Sequence, residues 1–146
     1  QDWLCVVGVD ADTRIRLKIG RIDGAPSFEF HSDDRDNQWD KKAAKLRRQT
    51  GDGTVPYDAA LPHFLPLEKL VCVSPSDYGY WELIDRGTTE IGGFHGILPN
   101  MDMIHRLIVR YFKGEADPRG NTWGRLPIGV SEDNWKPPLV GKLKSK

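Results

Sequence analysis

Two side chains of this 146-residue sequence are set where they could move a proton. Asp52 lies between glycines in Gly51-Asp52-Gly53, and His95 lies in Gly92-Gly93-Phe94-His95-Gly96. Glycines on both sides of Asp52 let the backbone turn sharply and hold the carboxylate at a fixed angle, while those around His95 clear space for the ring. A carboxylate that binds one imidazole nitrogen leaves the other to act as general base toward a hydroxyl nucleophile. That chemistry requires the two groups to lie within hydrogen-bond reach, about 2.6–3.2 Å. On composition alone, a plain turn at Asp52 and a plain loop residue at His95 remain the simpler readings.

Other chemistry-bearing residues compete weakly. His31 and His63 sit in polar and Pro-rich stretches, His105 falls inside a helical pattern, and Asp77 and Asp85 lack flanking glycines. No His-Glu-x-x-His or similar spacing occurs, so neither a metal nor a cofactor is expected. The run Asp33-Asp34-Arg35-Asp36-Asn37 lacks the Gly and terminal Glu of an EF-hand loop and reads as a solvated loop. Cys5 and Cys72 each stand in an apolar run with no Cys or His at a motif spacing, and so read as small buried hydrophobes. Free thiols suit a reducing compartment, which makes a cytoplasmic location the expectation.

The elements that must carry Asp52 and His95 are legible as changes of period. Trp3 to Val9 is nearly continuous apolar sequence, the mark of a strand buried on both faces in a parallel sheet, and Leu70-Val71-Cys72-Val73 repeats it. Between them, Ile15, Leu17 and Ile19 alternate with Arg14, Arg16 and Lys18, which predicts a strand with one face toward protein and one toward water. It pairs with residues 27–30 across Asp23-Gly24-Ala25-Pro26 as an antiparallel ribbon. Trp39 to Arg48 predicts a surface helix with the stripe Trp39, Ala43 and Leu46. The clearest helix follows Pro99-Asn100: Met101, Ile104, Leu107, Ile108, Tyr111 and Phe112 share a face, Asn100 can cap it and Gly114 closes it. It is expected to pack on the sheet. Residues 115–146 read as an extended tail anchored by Trp123 and Trp135.

Composition bounds the partners. With 21 basic and 21 acidic residues the chain has zero net charge and no basic field to steer it to nucleic acid. No apolar run approaches the roughly 20 residues of a membrane helix. Gln1 to Val7 has neither the basic nor the long apolar region of a leader, and a chain that opens almost directly on a strand suggests a portion upstream. Residues 1–146 are long enough for one domain but not two, and are expected to be part of a single domain that an upstream portion completes.

The segment Thr50-Gly51-Asp52-Gly53-Thr54-Val55-Pro56 is followed by a strand. A loop His then leads through Gly96-Ile97-Leu98-Pro99-Asn100 into an amphipathic helix. This order resembles the C-terminal third of lipase-type α/β-hydrolases, the lecithin:cholesterol acyltransferase-like lipases and related bacterial lipases and esterases, over residues 50–113. The resemblance implies an α/β fold, the C-terminal part of an α/β-hydrolase sheet with an inserted antiparallel ribbon and an extended C-terminal tail. It further implies Asp52 as triad acid, His95 as triad base, and an ester or lipid substrate that is hydrolysed or passes its acyl group to an alcohol. In that family the Gly-x-Ser-x-Gly nucleophile elbow precedes both residues, and none of the six serines here (27, 32, 74, 76, 131, 145) has that setting. The nucleophile and the oxyanion donors are therefore expected in an upstream portion or a second chain. Without that portion, at least one sheet edge and one apolar face should be left open. Phe94, Ile97 and Leu98 could line an acyl pocket or pack against the sheet. The competing class is a non-catalytic interaction module on the same scaffold, binding a partner through Tyr78-Gly79-Tyr80-Trp81.

Overall fold

A computed structural model describes residues 3–31, 51–80, 82–84, 94–114 and 124–139. Four strands occur among these residues: β1 (Val6–Gly8), β2 (Arg16–Ile22), β3 (Ala25–His31) and β4 (Val71–Val73). The helices are α1 (Tyr57–Ala60), α2 (Phe94–Ile97) and α3 (Asp102–Lys113). The two apolar runs of the sequence become β1 and β4, paired in parallel with Val6 opposite Val71, Val7 opposite Cys72 and Gly8 opposite Val73. Successive side chains in a strand point to opposite faces, so a Val-rich strand without polar alternation must be covered on both. On one face Val7, Val9 and Cys72 pack with Tyr57 of α1, joined by Cys5, Leu61 and Ile128. On the other, Val71 meets Leu107 of α3, and Val73 meets Phe94, Met101 and Ile104. Leu70, Val71 and Val73 are fully buried, and each such side chain contributes about 1.5–3 kcal/mol of hydrophobic stabilisation.

The ribbon forms with Leu17 opposite Phe30 and Ile19 opposite Phe28. Its turn is tighter than the sequence suggests. Asp23 and Gly24 both take positive φ (50° and 82°), the mark of a two-residue type I′ hairpin turn, and pairing therefore begins already at Ile22 and Ala25. One expectation fails here: the apolar face is not turned toward protein, and Ile19 and Phe28 remain 68% and 62% exposed. The ribbon is a separate two-stranded sheet rather than an extension of β1 and β4, so the described residues give its apolar face nothing to pack on.

Helix α3 differs in two respects from its sequence pattern. Asn100 ends a short 3₁₀ turn (Leu98–Asn100) and does not cap; instead Glu82 Oε1 accepts from the Asp102 amide at 2.7 Å. The buried stripe runs through Ile104, Leu107 and Arg110, leaving Phe112 80% exposed. At 3.6 residues per turn Phe112 stands about 140° around the axis from Leu107, beyond the face that meets the sheet. Gly114 closes the helix in the left-handed conformation (φ 63°), as its position predicts.

The greater correction concerns the tail. Residues 124–139 are part of the core structure rather than an extension from it. Arg125 pairs antiparallel with Cys72 on the edge of β4 opposite β1, with N–H···O distances of 2.7 and 2.8 Å. Its guanidinium makes a bidentate pair with Asp77, Nε to Oδ2 at 2.8 Å and Nη2 to Oδ1 at 2.9 Å. Trp135 acts as the expected anchor, donating Nε1–H to the Leu70 carbonyl at 2.7 Å. The predicted helix at 39–48 and the second anchor, Trp123, lie outside the described residues. The chain thus mixes helices with a small parallel sheet and an antiparallel ribbon, an arrangement compatible with the α/β class. Among the described residues no helix is long and apolar enough to cross a membrane.

Candidate active site

Functional groups of open parallel sheets collect beyond the carboxyl ends of the strands, and Asp52 and His95 both lie there. Past the end of β1 the chain turns at Asp10 (φ 66°), and Ala11 then forms a parallel bridge with Asp52. Past the end of β4, Phe94 is buried against Val73 and so fixes the start of α2, from which His95 projects.

The turn that carries Asp52 needs its glycines. Gly51 has φ 134°, and a Cβ there would collide with the Val55 carbonyl oxygen and stand 3.0 Å from Pro56 Cα. Within the turn, Asp52 Oδ1 accepts from the Thr54 amide at 2.9 Å and from the Val55 amide at 2.7 Å. Its other oxygen, Oδ2, lies 2.7 Å from His95 Nδ1. Burial opposes ionisation of Asp52, but the His95 bond and the two backbone amides outweigh it and hold the carboxyl below its ordinary value. An ionised carboxylate can only accept, so Nδ1 carries a proton toward Asp52, and in the neutral imidazole the lone pair is then on Nε2. The carboxylate is 12% exposed and the imidazole 49%. The arrangement is a buried acid orienting a half-exposed base, whose second nitrogen has no partner among the described residues.

The two residues singled out by the sequence are thus brought together, and among the described residues none of their competitors joins them. Asp77 is enclosed, with both oxygens engaged by Arg125 and the Ser74 amide (Oδ2, 2.9 Å). His31 lies beside Glu29 on the ribbon, with Nε2 3.4 Å from the carboxylate. His63 is exposed, and His105 Nε2 donates to the Pro99 carbonyl at 3.0 Å. Asp85 lies outside the described residues. Both cysteines are free. Burial pushes the Cys72 thiol up to about 12 and raises Cys5 as well, which suits packing and not nucleophilic attack. Among the described residues no group of three or more His, Cys, Asp or Glu side chains is placed to hold a metal.

Phe94 is buried in the core, and Ile97 and Leu98 pack against the same cluster. These residues support the site from beneath, the second of the two uses the sequence left open. Of the aromatic loop, Tyr78 stands edge-on to Phe94, with centroids 5.7 Å apart, and Tyr80 is 71% exposed; Trp81 lies outside the described residues.

Gly8 is a site residue that the apolar run concealed. A Cβ at Gly8 would collide with Asp52 Cβ, stand 2.7 Å from Leu98 Cδ1 and 3.1 Å from Phe94 Cε1. The acid turn and the His95 segment both close over this one bare position in β1. The available signal was a glycine inside a strand, which often marks a close approach of other groups to the backbone. Compared with protein-family models, curated proteins and solved structures, the chain matches none, so its geometry and motifs are what carry a functional reading.

Proposed function

We propose that this chain supplies the acid and the base of a Ser-His-Asp hydrolase acting on carboxylic esters, lipid esters included, within the C-terminal part of an α/β-hydrolase sheet. The nucleophilic serine and the oxyanion donors come from an upstream portion or a second chain. The observation that carries the reading is the 2.7 Å contact between Asp52 Oδ2 and His95 Nδ1, with the other carboxylate oxygen tied to two backbone amides. The likeness of residues 50–113 to lecithin:cholesterol acyltransferase-like lipases supports it from the motif side.

In this reading the serine oxygen attacks the ester carbonyl carbon while His95 Nε2 takes the hydroxyl proton. The tetrahedral intermediate collapses as the imidazolium returns that proton to the departing alcohol, leaving an acyl-enzyme. Water, or an alcohol in acyl transfer, then gives its proton to Nε2 as it attacks the acyl carbon, and the acyl–serine bond breaks as the imidazolium returns that proton to the serine oxygen. Asp52 keeps the proton on Nδ1 and stabilises the imidazolium without itself becoming protonated.

The test uses the chain alone and together with its serine-bearing portion. A fluorophosphonate should label that portion and leave the 146-residue chain unlabelled. In the assembled enzyme Asp52→Asn should lower kcat about 10⁴-fold through the wrong tautomer. Stoichiometric labelling of one serine in this chain would overturn the location of the nucleophile. Full turnover by Asp52→Asn would overturn the triad. An assembled protein with no esterase activity would leave the interaction module, with Tyr80 as its exposed contact.

A further inference from the structure

The bonds that hold Asp52 in its turn and the bonds that hold the turn to the sheet are different bonds. Thr54 and Val55 donate to Asp52 from within the same turn, so they would travel with it if it moved. The hydrogen-bonded links to β1's end are one backbone bridge, at Ala11, and one side chain. The Ala11 amide donates to the Gly51 carbonyl at 3.1 Å, Ala11 bridges Asp52, and the Gly53 amide donates to Thr13 Oγ1 at 2.8 Å. The Thr13 hydroxyl in turn donates to the Ala11 carbonyl at 3.0 Å. A hydroxyl has one proton to give, so its direction is set: proton to Ala11, lone pair to Gly53. Thr13 is fully buried, and its branched Cβ restricts the rotamer that makes both bonds.

We propose that Thr13 is a positioning residue for His95: its hydroxyl clamps the Gly51–Gly53 turn in register with β1, so that Asp52 Oδ2 meets Nδ1. Its meaning for turnover rests on the triad reading, whereas the clamp itself is read without turnover. A valine at position 13 keeps the shape and removes the hydroxyl, leaving the Gly53 amide and the Ala11 carbonyl without their shared partner. The turn is then hydrogen-bonded to the end of β1 at Ala11 alone, and the carboxylate drifts from the ring.

The chain labelled with ¹⁵N-histidine reports this directly. In the parent protein His95 should show the Nδ1–H tautomer and a slowly exchanging low-field proton. Asp52→Asn should abolish that signature. Thr13→Val should lose it or speed the exchange of its proton at least about tenfold, and Thr13→Ser should retain it, with circular dichroism reporting the fold of each variant. If the parent lacks the signature, the Asp52–His95 pair fails; if Asp52→Asn abolishes it and Thr13→Val keeps it, Thr13 alone fails. Loss in both Thr13→Val and Thr13→Ser would assign the effect to the methyl group and overturn the clamp. Should Thr13→Val not fold, Thr13→Ala gives the same readout; failure of both to fold would make Thr13 a stability determinant and not a positioning residue.

Discussion

Gly8→Ala is the most exacting perturbation of this site, because one methyl group lands where three segments converge. The added Cβ would stand 2.7 Å from Leu98 Cδ1 and collide with Asp52 Cβ. Ordinary carbon–carbon contact is about 3.5–4.0 Å, so both neighbours must retreat by roughly 1 Å. Leu98 can swing the end of a flexible side chain. Asp52 Cβ is bonded to the backbone and can move only with its turn. Overpacking of this kind costs about 1–3 kcal/mol, offset by about 0.4–1 kcal/mol from the lower conformational entropy of the unfolded alanine chain. The net loss is at most about 2.6 kcal/mol, which lowers the melting midpoint of a domain of this size by up to roughly 10 °C. The site suffers more than the fold: a retreat of about 1 Å breaks the 2.7 Å contact with His95, and a misplacement of that size can cost about 10²-fold in rate. Thermal melting of the chain measures the first effect; under the proposed triad, ester turnover together with a serine-bearing portion measures the second. An alanine variant with parental turnover and an intact Nδ1–H signature would refute the claim that Asp52 is seated on this bare backbone.

Three further outcomes are expected. The depressed Asp52 carboxyl contributes stability that is fully present above the ordinary carboxylate range and is lost as pH falls through its lowered value. Acid unfolding of Asp52→Asn, followed by circular dichroism below pH 5, should accordingly lack that component of the transition. Asp77→Ala leaves the Arg125 guanidinium, whose side chain is 15% exposed, without its partner; it should cost about 3–5 kcal/mol in urea unfolding and release residues 124–139 to early proteolysis. The isolated chain should scatter light as species above 16.5 kDa, since the ribbon exposes Leu17, Ile19, Phe28 and Phe30 on one face; Ile19→Lys with Phe28→Lys should lower that mass.

What could be read from sequence was what repeats along it. The strands β1 and β4 announced themselves as unbroken apolar runs, the ribbon by its period of two, α3 by its period of 3.6, and the acid turn by its glycines. What escaped were contacts between residues far apart in the chain. Asp77 and Arg125 are 48 positions apart, and nothing near Arg125 marks it as the partner of a buried carboxylate. Residues 124–139 have no apolar period because they meet Leu70 and β4 one contact at a time, through Gly124, Arg125 and Trp135. Glu82 serves as the acceptor for the start of α3 because Asn100 is taken up in the preceding 3₁₀ turn and Met101, which has no side-chain acceptor for that amide, holds the N-cap position. The burial of Arg110 and exposure of Phe112 depended on how α3 is rotated against the sheet, which the period alone does not fix.

The bridge between Ala11 and Asp52 has a consequence for how the protein tolerates change. The chain departs after Thr13 and is back at Gly51, whose carbonyl accepts from the Ala11 amide; the two ends of this long excursion are joined at the base. Closing a loop costs little more as it lengthens, and the ribbon of β2 and β3 is a sheet of its own, so its size and content are largely decoupled from the geometry of Asp52. Substitutions and length changes in the ribbon should pass without moving the acid, whereas changes at Ala11, Thr13, Gly51 and Gly53, which make the seam, should reach it directly. The surface most free to diversify thus borders the site least able to.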